Sequence, residues 1–270
     1  MLNDKNLFKI LSMGMSSKLA DSFTKLYEKA LLDNINRNYV PRHIGIIMDG
    51  NRRYAQQLGM DPKLGHYYGK EKLYEVLEWC MELGIKIVTV YAFSTENFMR
   101  GKDEVISLMN LFEESIEKEL KEGRIHKNRI KVKIIGRREL LPKNLIEKIE
   151  RIEEETKNYN DYILNIAIAY GGREEIIDAI KKIAQDVLEN KLSINDINEE
   201  TVRKNLYTAD LPDPDLILRT SGEERISNFL LWQSAYSELY FTDVYWPSFS
   251  KIDFLKAILS YQRRERRFGR

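Results

Sequence analysis

Hydrophobic positions along the chain fall into two alternating kinds of segment. Short, mostly apolar runs occupy 44–48, 87–93, 130–135, 162–170 and 215–219, with a shorter one at 239–241. The first five stop abruptly at Asp49-Gly50-Asn51, Ser94-Thr95-Glu96-Asn97, Gly136, Gly171-Gly172 and Thr220-Ser221-Gly222. Runs of this length, closed by turn residues, predict strands. They are apolar on both parities, as strands covered on both faces should be. Between them the period changes. In 103–120, Val105, Leu108, Met109, Phe112, Ile116 and Leu120 follow the 3-4 spacing of one buried helical face. Similar stripes run through 70–83, 143–156, 173–188 and 251–262. This alternation predicts an α/β fold: a single domain with a central, mostly parallel sheet of about six strands flanked by helices. Parallel sheets hold their ligands at the carboxyl ends of the strands. A site is therefore expected at 49–53, 94–100 and 219–227.

Composition narrows the class. A hydrophobic fraction of 43% over 270 residues is ample for a packed core and excludes general disorder. The balance of 43 Lys+Arg against 42 Asp+Glu excludes an extended basic surface, so no nucleic-acid partner is expected. The single Cys80 cannot form an intrachain disulfide, which suits a reducing compartment. No apolar stretch approaches the roughly 18 residues of a membrane span. The first residues, MLNDKNLFKILSMGM, lack the apolar core and cleavage site of a signal peptide. A cytoplasmic enzyme is the expectation.

The three polar clusters carry the chemistry. Asp49-Gly50-Asn51-Arg52-Arg53 places a glycine at a strand-to-helix turn, where backbone N–H groups can approach an anion. Arg53 can hold a phosphate bidentately. Asp49 suits Mg²⁺, which takes one or two carboxylates together with substrate phosphates. The same residues also fit an ordinary helix cap followed by solvated arginines. No G-x-x-x-x-G-K-[ST] pattern is present. Ser94 to Arg100 holds hydroxyls, an amide and a guanidinium, and read alone it is best explained as a cap for helix 103–120, with Glu104 in its first turn. Arg219, Arg225 and Ser227 around Gly222 suit a second phosphate, or a loop neutralised by Glu223 and Glu224. Taken together, two phosphate-grade sites and a lone carboxylate point to diphosphate chemistry. His66, after Gly65, could donate to a phosphate, whereas His43 and His126 read as structural or surface groups. Asp210, Asp213 and Asp215 alternate with prolines and read as a turn. No D-D-x-x-D motif occurs, which excludes the helical trans-prenyl synthases.

At this level of detail the chain resembles the cis-prenyltransferases, the undecaprenyl and dehydrodolichyl diphosphate synthases. The resemblance is carried by the stretch from His43 to Ala55, by Gly65-His66, by Tyr91 to Asn97 with Arg100, and by Asn165 to Gly172. It continues through Asp215 to Glu223, Arg225 to Gln233, Ala235 to Phe241 and Glu265 to Gly269, unbroken in order from about residue 41 onwards. What the resemblance implies is addition of cis isoprene units from isopentenyl diphosphate to an allylic diphosphate primer, with Mg²⁺, and an apolar tunnel for the growing chain. Asp49 would be the metal-linked carboxylate, and Glu238 would help place the metal. Gly50, Asn51, Arg52, Arg53 and His66 would surround the allylic diphosphate, with Arg100 close by. Arg219, Arg225 and Ser227 would hold isopentenyl diphosphate. Ser94, Asn97 and Phe98 would line the reaction centre, Asn97 as a catalytic group, and Glu104 would belong to a loop that closes over it.

Departures from the family pattern are informative. Pro62 stands where bacterial members usually carry arginine, with Lys63 beside it. Arg52, Tyr54 and Phe98 resemble the archaeal and eukaryotic branch, as does 156–160, which favours a geranylgeranyl or farnesyl primer and a glycosyl carrier lipid as end use. Eukaryotic catalytic subunits borrow the terminal Arg-x-Gly from a partner, but this chain keeps Arg267-Phe268-Gly269. In the family that motif reaches the neighbouring subunit's site, so a homodimer is expected. Residues 1–40 form an N-terminal helical extension to the catalytic domain of 41–270. A stripe over 5–31 fits either packing on that domain or peripheral contact with a membrane surface. A non-catalytic accessory subunit is a rival reading, disfavoured by the presence of Asp49 and the Ser-x-Glu-Asn segment. An α/β phosphatase or nucleotide-binding protein is a second.

Overall fold

The computed structural model describes residues 17–264. Six strands form one sheet: β1 (His43–Ile47), β2 (Ile87–Ser94), β3 (Ile130–Ile135), β4 (Tyr162–Tyr170), β5 (Leu216–Arg219) and β6 (Glu238–Phe241). Their order is β3-β4-β2-β1-β5-β6. Every adjacent pair is parallel. The five residues of β1 are all buried, as a central strand with helices on both faces requires.

Among the described residues there are nine α-helices around the sheet. Along the chain they are α1 (Ser17–Asp33), α2 (Asn51–Gln57), α3 (Leu64–Leu83), α4 (Lys102–Glu122), α5 (Arg124–Lys127), α6 (Lys143–Thr156), α7 (Gly172–Leu188), α8 (Glu199–Asn205) and α9 (Lys251–Gln262). Amphipathic spacing decides which face each one buries. In α6, Leu145, Ile149, Ile152 and Thr156 turn inward. The Thr156 hydroxyl then accepts from Val132 N of β3 at 3.1 Å. A reciprocal cap starts α9, in which the Ser250 hydroxyl accepts from Asp253 N and the Asp253 carboxylate accepts from Ser250 N.

The expected elements are all present, with modest shifts of their ends. The helix expected at 70–83 begins earlier, at Leu64, because the chain turns into helix directly after the Asp61-Pro62 corner. Helix α1 packs against α9, and Lys251 of α9 bridges Glu28 at 3.0 Å and Glu82 at 2.8 Å. Of the stripe over 5–31, residues 5–16 lie outside the described residues. Among the described residues no helix is long and apolar enough to cross a membrane.

The topology fixes where a site can form. The chain leaves β1 for β2 on one side, and later returns to place β5 on the other. The crevice beyond the carboxyl end of β1 is therefore the switch point of the sheet. Ile47 of β1 pairs with Tyr91 of β2 and with Arg219 of β5. The three polar clusters that follow these strands are thereby brought side by side.

Candidate active site

Asp49 sits two residues beyond β1. Its backbone carbonyl accepts from Trp246 N at 3.0 Å and from the Thr220 hydroxyl at 2.7 Å, so the turn is clamped from two sides. Trp246 is fully buried and also donates from Nε1 to Gly69 O at 2.8 Å, tying the turn to α3. Gly50 has φ +100, and a Cβ there would lie 2.8 Å from Tyr245 and 3.1 Å from Ser221. Only glycine satisfies both constraints. The Asp49 carboxylate then receives two guanidiniums, Arg219 Nη2 at 2.7 Å and Arg53 Nη2 at 3.2 Å. Arg53 also lies 5.7 Å from the centre of the Tyr245 ring and 3.3 Å from Glu223.

Arg219 is 5% exposed, which is rare for arginine unless it is paired. Its Nη1 donates to the Ser227 hydroxyl at 2.7 Å and to the Arg225 carbonyl. Arg225 itself points outward and pairs with Glu223 at 2.6 Å. The loop carrying these groups is wound tightly, with Ser221, Ser227, Asn228 and Leu230 all at positive φ. Non-glycine residues hold such angles only when their surroundings over-determine them. Here Gly172 N donates to Asn228 O at 2.7 Å and Arg173 N to Asn228 Oδ1 at 2.9 Å. Behind the loop, buried Glu175 accepts from the Tyr170 hydroxyl at 2.5 Å, from Tyr207 N at 2.7 Å and from Gln233 Nε2. Burial pushes the Glu175 carboxyl above its ordinary range despite these donors.

A second basic group faces the first. Glu104 gathers Arg100 at 3.1 Å, His66 at 3.4 Å and Arg52 at 3.7 Å. Burial, reinforced by the charge of Arg100, holds His66 below its usual value even with Glu104 beside it. Its imidazole is neutral at neutral pH and able to donate to an anion. The resemblance implies a closing loop for Glu104, while the sequence around it also fits the first turn of a helix. It lies in the first turn of α4, where a carboxylate complements the helix dipole. Ser94 and Asn97 form a reciprocal cap on the short turn Thr95–Met99 rather than on α4. Phe98 packs edge-on against Phe93, with ring centroids 4.8 Å apart.

Asp49, Arg52, Arg53, His66, Ser94, Asn97, Arg100, Arg219 and Ser227 line a cleft of about 810 Å³, whereas Phe98, Glu104 and Arg225 stand behind or beside its lining. Beside it, sharing Met48, Asn51, His66 and Ala92, lies an apolar cavity of about 160 Å³ between the sheet, α3 and α4. Two basic subsites flanking one carboxylate, next to an apolar cavity, suit a substrate with an anionic head and a hydrocarbon tail. The comparisons agree with that chemistry. The family model described as "Putative undecaprenyl diphosphate synthase" matches residues 47–269. The chain belongs to the cis-prenyltransferase family.

Named relatives are similar over almost their whole length. A tritrans,polycis-undecaprenyl-diphosphate synthase (geranylgeranyl-diphosphate specific) of Thermoplasma acidophilum is 60% identical over 258 residues, covering 96% of this chain and all of the relative. The enzyme of the same name from Pyrococcus furiosus is 58% identical, covering 91% and 93%. Among solved structures, lavandulyl diphosphate synthase from Lavandula x intermedia, in complex with dimethylallyl diphosphate, superposes with a TM-score of 0.82 at 37% identity. That match covers 86% of this chain and 99% of the plant enzyme.

Within this cis-prenyltransferase the expected site residues fall into two sets. Asp49, Gly50, Asn51, Arg52, Arg53, His66, Ser94, Asn97, Arg100, Arg219 and Ser227 all line the cleft. Glu238 does not join them. It opens β6 opposite Leu216, at the far end of the strand pair from Arg219, and faces Arg264 at 2.7 Å. A parallel ladder puts about 3.3 Å between successive residues, so one chain cannot bring Glu238 to Asp49. Arg267 and Gly269 lie outside the described residues. Arg173, Asn228 and Tyr91 also line the cleft and escaped sequence reasoning. Gly171-Gly172 before Arg173 was the available signal, since it marks a helix start at a strand end. His43 is structural: its Nδ1 lies 2.7 Å from Pro212 O and its Nε2 2.7 Å from Thr89 Oγ1.

The donor set around Asp49 suits Mg²⁺ delivered with a diphosphate. Among the described residues no group of three or more His, Cys, Asp or Glu forms a metal cage. Mg²⁺ rarely needs one, because it binds through one or two carboxylates plus phosphate oxygens and water. The Asp49 carboxylate is partly exposed to the cleft and can serve that way.

Proposed function

We propose that this chain is a Mg²⁺-dependent polyprenyl diphosphate synthase. It condenses isopentenyl diphosphate in successive steps with geranylgeranyl diphosphate, with farnesyl diphosphate as the alternative primer, and forms cis double bonds. The product is a long-chain polyprenyl diphosphate, precursor of a glycosyl carrier lipid. The observation that carries the reading is the pair of basic subsites on either side of Asp49, adjoining an apolar cavity. The names of the archaeal relatives favour the geranylgeranyl primer.

In this reading the allylic diphosphate lies against Gly50, Asn51, Arg52, Arg53, His66 and Arg100. Isopentenyl diphosphate lies against Arg219, Arg225 and Ser227. Ser94, Asn97 and Phe98 form the wall between them. The allylic C–O bond breaks as a C–C bond forms from the alkene of isopentenyl diphosphate, and a proton leaves the new chain. Asp49 would hold Mg²⁺ together with the diphosphate, and the ion would supply positive charge against the leaving group. The arginines and His66 stabilise the same charge with donors fixed before reaction. Holding two substrates in register replaces a bimolecular encounter and supplies much of the acceleration. In the free protein Asp49 balances Arg53 and Arg219, which keeps two like charges close together until substrate arrives. The chain acts as a homodimer, with Arg267-Phe268-Gly269 of each copy serving the other's isopentenyl diphosphate subsite.

Asp49→Ala is the direct test. Elongation of geranylgeranyl diphosphate by labelled isopentenyl diphosphate should fall by ~100-fold or more, as expected on loss of a group at the charge-bearing centre. Near wild-type elongation by a folded Asp49→Ala protein would refute this mechanism.

A further inference from the structure

The apolar cavity does not end in hydrocarbon. Leu73 and Leu77 of α3 and Leu108, Leu111 and Phe112 of α4 form its walls. Further along α4 the apolar stripe Leu108, Phe112, Ile116 runs on to Leu120. Glu119 stands beside Leu120 in that last stretch, and it is 4% exposed. Both of its carboxylate oxygens are shielded from solvent. Glu119 is fifteen residues beyond Glu104 on the same helix, or about 22 Å at 1.5 Å per residue, so it lies far from the phosphate cleft. Arg124, just past the end of α4, approaches Glu119 Oε1 to 3.6 Å, and its guanidinium lies 4.1 Å from the centre of the Tyr74 ring. Burial and the Glu119 charge together push the Tyr74 hydroxyl up. All three side chains line the cavity.

A buried carboxylate in an apolar wall is costly, and packing alone would favour leucine. Its presence calls for a role. We propose that Glu119, with Arg124 and Tyr74, is a polar stop that sets the length of the prenyl product. This rests on the chain-elongation reading given above. The hydrocarbon end of the growing chain advances along the cavity until it meets a charged group that it cannot solvate. A bulky apolar floor can rotate aside under a hydrocarbon chain. The Glu119 carboxylate cannot, because moving it away from Arg124 leaves its charge uncompensated where it is shielded from water. A polar stop therefore gives a sharp upper limit to product length.

The test uses the full chain, geranylgeranyl diphosphate, labelled isopentenyl diphosphate and chromatography of the products. In Glu119→Met/Arg124→Met the main product should lengthen by one or more isoprene units, while the rate of isopentenyl incorporation stays within a few-fold of wild type. Glu119→Gln keeps the shape of the side chain and removes its charge. It should shift the distribution in the same direction, and it decides the question alone if the double variant does not fold. A folded Glu119→Gln protein with wild-type product length overturns the stop. Wild-type protein that elongates no allylic diphosphate overturns the elongation reading itself, which is a separate and distinguishable failure.

Discussion

At the scale of single residues, burial and charge are settled by pairing, and where pairing is impossible by loss of a proton. Arg219 keeps its charge in the sheet because Asp49, Ser227 and the Arg225 carbonyl accept from its two Nη groups, leaving only the buried Nε–H without a partner. His43 cannot do the same. It is 1% exposed, and burial drives its pKa down to about 4, outweighing the Pro212 carbonyl and Asp215. It folds as the neutral ring, donating from one nitrogen and accepting at the other. Thr89, which holds the second nitrogen, also accepts from buried Asn165 at 3.2 Å. The unfolded chain protonates this histidine near 6.5, and the folded one near 4. Between those values the unfolded state binds more protons, so stability falls as pH drops through the window. The contribution lost by pH 4 is about 3 kcal/mol. Urea unfolding of wild type and His43→Gln at pH 7 and pH 4 should show the wild type losing more stability than the variant by about that amount. Equal losses would mean that His43 is charged in the folded chain.

At the scale of elements, the cleft depends on how closely α2 approaches α3. A Cβ on Gly65 would lie 2.0 Å from the Asn51 carbonyl oxygen, a backbone atom that cannot rotate away. Gly65→Ala should therefore force the helices apart, at a cost of about 1–3 kcal/mol in thermal or urea unfolding. Because α2 carries Arg52 and Arg53 and α3 carries His66, the same displacement should raise KM for the allylic diphosphate well above its effect on isopentenyl diphosphate. Equal effects on the two substrates would contradict the assignment of subsites. The elements themselves were legible. The runs became strands, most plainly the central β1, which is buried at every position, while the edge strands β3 and β6 carry half-exposed positions. Helix ends were less so. The start of α3 at Leu64 has no side-chain cap for sequence reading to detect. Glu104 reads equally as a loop residue or a dipole complement, and tertiary packing against His66 and Arg100 decides for helix.

At the scale of the whole molecule, motif residues after β1, β2 and β5 were found in advance because parallel topology sends strand ends to one edge. Arg173 and Asn228 were missed because their place in the cleft depends on a long-range bond between the start of α7 and a left-handed loop. Glu238 was misplaced for the same reason, since a motif states order along the chain and not which end of a strand a residue occupies. Its position at the opposite end of the strands from Asp49 means that any shared role with the cleft requires a second copy. The proposed reach of Arg267-Phe268-Gly269 into a neighbour requires one too. A mixing experiment separates this arrangement from one in which each chain completes its own site. Asp49→Ala removes the carboxylate but leaves the tail, and a chain ending at Arg264 removes the tail but leaves the carboxylate. Each alone should elongate poorly. If tails act across a two-fold interface, a mixed dimer holds one complete site, formed by the carboxylate of the shortened chain and the tail of the other. Unfolding and refolding the two together in equal amounts should then restore about a quarter of wild-type sites by random pairing. If each tail serves its own chain, neither partner in any pairing carries a complete site, and the mixture should stay as inactive as its components.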